Sequence, residues 1–104
     1  MDILNQKSES PLSLSAAHGH LKIVQWFITK KVAINHRTAE NCTPLFLAAM
    51  NGHEGVVKLL LKSKADPLIC RSADNASPVW IASCNGHLDI VKTFAKSLSK
   101  QKLK

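Results

Sequence analysis

The chain repeats itself. The segment Ser10-Pro11-Leu12-Ser13-Leu14-Ser15-Ala16-Ala17-His18-Gly19-His20 recurs as Thr43-Pro44-Leu45-Phe46-Leu47-Ala48-Ala49-Met50-Asn51-Gly52-His53. It returns again as Ser77-Pro78-Val79-Trp80-Ile81-Ala82-Ser83-Cys84-Asn85-Gly86-His87. Pro11, Pro44 and Pro78 are separated by 33 and 34 residues, and Gly19, Gly52 and Gly86 keep the same intervals. A fixed period of this length marks a row of supersecondary units, none of which can bury its apolar face without a neighbour. The single extra residue falls between Gly52 and Pro78, and the connection around Cys70 to Asn75 is where a stacked repeat tolerates an insertion.

Each unit reads as two helices. Ser10, Thr43 and Ser77 offer a hydroxyl to the amides of a first helical turn, and the proline that follows suits the first helical position because it has no N–H to leave unpaired. The helix then runs about two turns and stops at Gly19, Gly52 or Gly86, where a left-handed cap favours glycine. A second pattern follows at once: Leu21, Val24, Phe27 and Ile28; Val56, Val57, Leu60 and Leu61; Leu88, Val91, Phe94, Ala95 and Leu98. This is the spacing of an amphipathic helix. Glu54 and Asp89 stand in the first turns of the later two, where a negative charge suits the helix dipole. Between units lie Lys31 to Asn41 and Lys64 to Asn75, polar stretches dominated by turn residues.

These residues together resemble the ankyrin repeat: a period of 33, Ser or Thr before Pro-Leu, alanine pairs, and Gly-His ahead of an Ile-Val or Val-Val helix. The resemblance covers about residues 5 to 99. It implies an all-α solenoid of stacked helix-turn-helix units with hairpin-like fingers, a single domain over residues 1–104, with units at about 5–37, 38–71 and 72–104. It also implies a concave face, lined by the fingers and first helices, that binds other proteins. The chain departs from the family pattern in two places. The histidine that usually follows Thr-Pro-Leu is Ser13, Phe46 or Trp80 here, and the two aromatics are expected to fill space between units. The glycine that usually ends the second helix is Lys31 or Lys64, so a distorted or differently ended helix is expected there.

The resemblance implies a recognition surface on the finger tips and the exposed ends of the first helices. On the tips these are Gln6, Lys7 and Glu9; Arg37, Ala39, Glu40 and Cys42; and Arg71, Ala73, Asp74 and Ala76. On the first helices they are Ala17 and His18, Met50 and Asn51, and Cys84 and Asn85. Met50 is apolar and adaptable, and arginines are enriched among binding hot spots.

Other chemistries find little support. His20, His53 and His87 occupy equivalent places, but stacked helices lie about 8–10 Å apart, too far for equivalent side chains to share one metal ion. These histidines are instead expected to help start the second helices. The three cysteines, Cys42, Cys70 and Cys84, form no Cys-x-x-Cys pair, and there is no nucleophile elbow, Cys-His signature or phosphate-binding glycine loop. The expectation is a non-enzymatic scaffold without cofactor or metal.

The 104 residues are 45% apolar, too much for a disordered chain, and carry a formal charge of +7 with a pI near 9.6. That charge raises a second reading, a binder of nucleic acid or anionic lipid. The last thirteen residues hold five lysines and no acid, so most of the excess belongs to one terminal helix. Its lysines recur every four residues opposite Val91, Phe94, Ala95 and Leu98, and residues 92–104 are expected to be a basic cap on the stack. No apolar run approaches the roughly 18 residues that span a bilayer, and the first ten residues do not form a signal peptide. The chain is expected to be intracellular, in the cytoplasm or nucleus, and either a monomer or a fragment of a longer repeat array.

Overall fold

The computed structural model describes residues 10–102, with side chains through residue 99. Six helices follow one another: α1 (Pro11–Ala17), α2 (Leu21–Thr29), α3 (Pro44–Met50), α4 (Glu54–Lys62), α5 (Pro78–Cys84) and α6 (Leu88–Lys102). There is no strand among the described residues. The helices pair as α1/α2, α3/α4 and α5/α6. First helices stack in the order α1, α3, α5, and second helices in the order α2, α4, α6.

The first helices start as their sequence dictates. Ser10 Oγ, Thr43 Oγ1 and Ser77 Oγ each accept from the backbone N–H three residues on, at 3.1 Å, with proline inside the first turn. They end on Gly19, Gly52 and Gly86 at φ of 73°, 78° and 75°. There the amides of His20, His53 and His87 reach back to the carbonyls of Ser15, Ala48 and Ala82. This double closure satisfies carbonyls that a helix terminus otherwise leaves open.

The second helices end differently from the expectation. Lys31 and Lys64 take positive φ, 58° and 72°. The helices nevertheless close regularly, Lys31 N–H donating to Ile28 and Val32 N–H to Phe27, then Lys64 N–H to Leu61 and Ala65 N–H to Leu60. Lysine therefore bears backbone strain that glycine would avoid. The next residues, Val32 and Ala65, turn back onto the apolar core, which holds the cap in place.

The core lies between the two rows of helices. Leu12, Val24, Leu45, Phe46, Val57, Leu60, Ile90 and Phe94 are buried, and Ala16, Ala48, Ala49 and Ala82 let the first helices approach closely. A fully buried Leu or Phe contributes about 1.5–3 kcal/mol through its apolar area. Two members of the amphipathic pattern, Leu21 and Leu88, are exposed instead. Leu21 leans toward Gly55 of the second unit, near enough that a Cβ there would meet it at 3.7 Å.

Two fingers project between units. Thr38 N–H donates to the Cys42 carbonyl, and Arg71 N–H to that of Ala76, closing hairpin-like tips. Asn41 and Asn75 take the left-handed position, φ 65° and 58°, which asparagine tolerates better than most residues. The second tip holds one residue more between its closing pair, so the additional residue of the repeat sits there. The fingers are tied side by side: Asn35 Oδ1 accepts from Asp66 N–H, Asn41 Nδ2 donates to the Cys70 carbonyl, and Ser72 donates to the Glu40 carbonyl through both N–H and Oγ.

Candidate partner-binding surface

The finger tips bring charged side chains next to the exposed end of a first helix. Arg71 is the centre of this cluster. Its Nε and Nη2 donate to Asp74 Oδ1 and Oδ2 at 3.1 and 2.8 Å. Its guanidinium carbon lies 5.1 Å from the centre of the Phe46 ring, and Nη1 reaches Met50 Sδ at 3.9 Å. A bidentate carboxylate on one side and an aromatic face on another fix a side chain that otherwise has many rotamers. The Arg71 hydrogen bonds hold the Asp74 carboxyl below its ordinary pKa, and the same pair raises that of Arg71.

Arg37, Ala39 and Glu40 are exposed on the first tip, and Ala73 and Asp74 on the second. Met50 is half-buried beside Arg71, and Cys84, its counterpart one unit on, is exposed. The structure therefore brings Met50, Arg71 and Asp74 together, with Glu40 joined to the second tip through Ser72. Gln6, Lys7 and Glu9 lie outside the described residues.

Two expected surface residues are not on the surface. Cys42 and Ala76, at 5% and 3% exposure, precede Thr43 and Ser77 and are packed into the stack beneath the tips. Both belong to the hydrophobic core. Burial pushes the Cys42 thiol pKa up, which disfavours the nucleophilic thiolate.

Two others have their polar groups committed elsewhere. Asn51 Nδ2 donates to the Ala17 carbonyl at 3.0 Å, and Asn85 Nδ2 to the Met50 carbonyl at 2.9 Å. His53 and His87 donate through Nε2 to those same carbonyls, at 2.9 and 3.2 Å. These residues fasten each unit to the last carbonyl of the preceding first helix. The expectation that the histidines start their own helices is corrected: neither His20 nor His53 makes a side-chain cap bond. His18 occupies the place of Asn51 and Asn85 in the first unit and is exposed.

The aromatic replacements also divide. Phe46 is fully buried between units, as expected, whereas Trp80 is largely exposed. The reason is what lies over each one. Phe46 has Arg71 of the following finger above it, and among the described residues no such finger lies over Trp80.

Compared with the profiles of known families, residues 1–70 match the one described as ankyrin repeats (3 copies). The chain belongs to the ankyrin repeat family. Relatives include the ankyrin repeat and KH domain-containing protein mask-1 of Caenorhabditis elegans, 33% identical over 64 residues, which cover 62% of this chain and 2% of the relative. The Drosophila melanogaster fem-1 homolog CG6966 is 33% identical over 66 residues, 55% of this chain and 10% of the relative. The human transient receptor potential cation channel subfamily A member 1 is 38% identical over 64 residues, 59% of this chain and 6% of the relative. The chain thus spans a tenth or less of the length of these proteins, and what it shares with them is the ankyrin stack. Among the described residues no helix is long and apolar enough to cross a membrane, and no cluster of His, Cys, Asp or Glu could hold a metal ion.

Proposed function

We propose that the chain is a non-catalytic protein-binding module that takes its partner against the finger tips and the exposed ends of the first helices. Ankyrin repeats generally mediate protein–protein interaction, and the finger cluster gives this chain an anchor suited to it. The observation that carries the reading is the Arg71 clamp. An arginine already held by Asp74 over Phe46 loses little rotamer freedom when a partner arrives, so less of the contact energy is spent on ordering it. Met50 beside it offers a deformable apolar contact, and exposed Arg37 on the neighbouring tip offers a free guanidinium edge for an acidic side chain. The partner best suited is a protein segment that presents a carboxylate to Arg37 and an apolar side chain to Met50.

The test is a pull-down with the full chain from its native cell, followed by calorimetry with the protein identified. Replacing Arg37 and Met50 together by alanine should weaken binding at least tenfold, about 1.4 kcal/mol or more, while the helical circular dichroism is unchanged. Equal affinity of wild type and double variant would reject this face.

A further inference from the structure

The Arg71 guanidinium is surrounded by two carboxylate oxygens, an aromatic ring and a sulfur. The sulfur is the poor member of that set. A thioether accepts hydrogen bonds weakly, and Met50 Sδ stands 3.9 Å from Nη1, so a charged donor faces a weak acceptor at long range. The contact still has hydrogen-bond geometry, with a lone pair of Sδ and not a methyl group toward the donor. Met50, at the end of α3, and Arg71 are both partly exposed, so a small solute can reach the pair.

The gap between them matches one atom. An oxygen bonded to Sδ lies about 1.5 Å from it, and from there it reaches Nη1 at about 2.8 Å with an angle at oxygen of roughly 130°. That is the length and direction of a charge-assisted hydrogen bond, reached with neither side chain displaced. The pairing is particular to the middle unit. Thr38, which closes the first tip as Arg71 closes the second, brings no cation, and Ala17, the counterpart of Met50, brings no sulfur.

We propose that Met50 is a modification site, oxidised by a hydroperoxide to a sulfoxide whose oxygen accepts from Arg71 Nη1–H. The Sδ lone pair on the side of Arg71 attacks the nearer peroxide oxygen, the O–O bond breaks, and its electron pair leaves on the farther oxygen. Nη1–H donates to that oxygen while charge builds on it. The departing oxygen takes the proton of the nearer one and leaves as water from hydrogen peroxide, or as an alcohol from an alkyl hydroperoxide. Sulfur loses two electrons and the peroxide gains them; Arg71 keeps its own proton and then donates to the oxygen that stays. Because the oxygen arrives on the guanidinium side, one of the two sulfoxide epimers forms in preference. A polar, chiral group replaces an apolar, deformable one, and reduction of the sulfoxide reverses the change. What this does to a partner rests on the proposed binding face: the apolar contact at Met50 is lost on oxidation and regained on reduction.

Hydrogen peroxide applied to the full chain tests the site without a partner, so its failure leaves the proposed binding face untouched. Brief treatment of the folded chain should add one oxygen to Met50, located by peptide mapping, which reads the other methionine, Met1, separately. Methionine sulfoxide reductases specific for each epimer, applied to the digested product, should show one epimer in excess by about fivefold or more. Arg71→Leu keeps an apolar group over Phe46 but removes the donor, and there the two epimers should form in nearly equal amounts. Arg71→Ala serves as a second variant, with helical circular dichroism checked in both. Equal epimers in the wild type would overturn the proposal. The same excess in both Arg71 variants, or a Met50 that takes up oxygen only after unfolding in urea, would overturn it as well.

Discussion

The His53 ring lies over Gly19 so closely that a side chain at position 19 would collide with it, while its Nε2 donates to the Ala17 carbonyl two residues earlier in the chain. One glycine therefore meets two demands at once: a positive φ at the end of α1 and bare space for the imidazole of the next unit. Gly52 meets the same two demands under His87, whereas Gly86 meets only the first.

That difference separates backbone strain from steric conflict. Alanine at Gly86 should cost about 1 kcal/mol, the strain of a left-handed residue bearing a Cβ. Alanine at Gly19 or Gly52 carries the same strain and must also displace an imidazole from its hydrogen bond, adding on the order of 1–3 kcal/mol. Urea unfolding of the three variants measures both quantities. Equal losses at all three sites would show that the imidazoles move aside freely.

The two lysines at positive φ give a test of opposite sign. Lys31 and Lys64 occupy places where the backbone favours glycine, and both helix ends close with the regular pair of hydrogen bonds. Lys31→Gly and Lys64→Gly remove the strain but add freedom to the unfolded chain. The net gain should be about 0.5–1 kcal/mol for each. The two caps are far apart in sequence and share no partner, so the gains should add in the double variant. Midpoints of denaturant unfolding measure this, and a loss of stability in either variant would mean that the lysine side chain contributes more than its backbone strain costs.

The sequence is legible where the chemistry is local. Ser10, Thr43 and Ser77 ahead of proline, and Gly19, Gly52 and Gly86 after two turns, specify the starts and stops of the first helices through groups a few residues apart. Their structural roles follow from that spacing alone. The joints between units are harder to read, since the partners of Asn51 and His53 lie more than thirty residues away in the chain. A single unit gives no sign of them. Cys42 and Ala76 were similarly hidden, because a residue just before a helix can turn toward a tip or toward the stack. Trp80 and Phe46 occupy matching places, and among the described residues only Phe46 has a fingertip arginine over its ring.

Asp74 ties the second fingertip to pH. Its carboxyl titrates below the ordinary carboxylate range, chiefly because Arg71 donates two hydrogen bonds to the ionised form. A group with a depressed folded-state pKa favours the folded tip above its unfolded pKa, and that contribution is lost as pH falls through the folded value. The clamp should therefore be intact at neutral pH and release Arg71 only in acid, below the range where free carboxylates protonate. Because the pair is exposed, the effect on global stability should be small. The clearer readout is local: NMR titration of the Asp74 carboxyl should give a low pKa, and Arg71→Ala should move it up into the ordinary range. In Asp74→Asn the Arg71 side chain should lose its fixed environment at neutral pH while the six helices persist. An Asp74 carboxyl that titrates normally in the wild type would show that the fingertip arginine is not held in advance of binding.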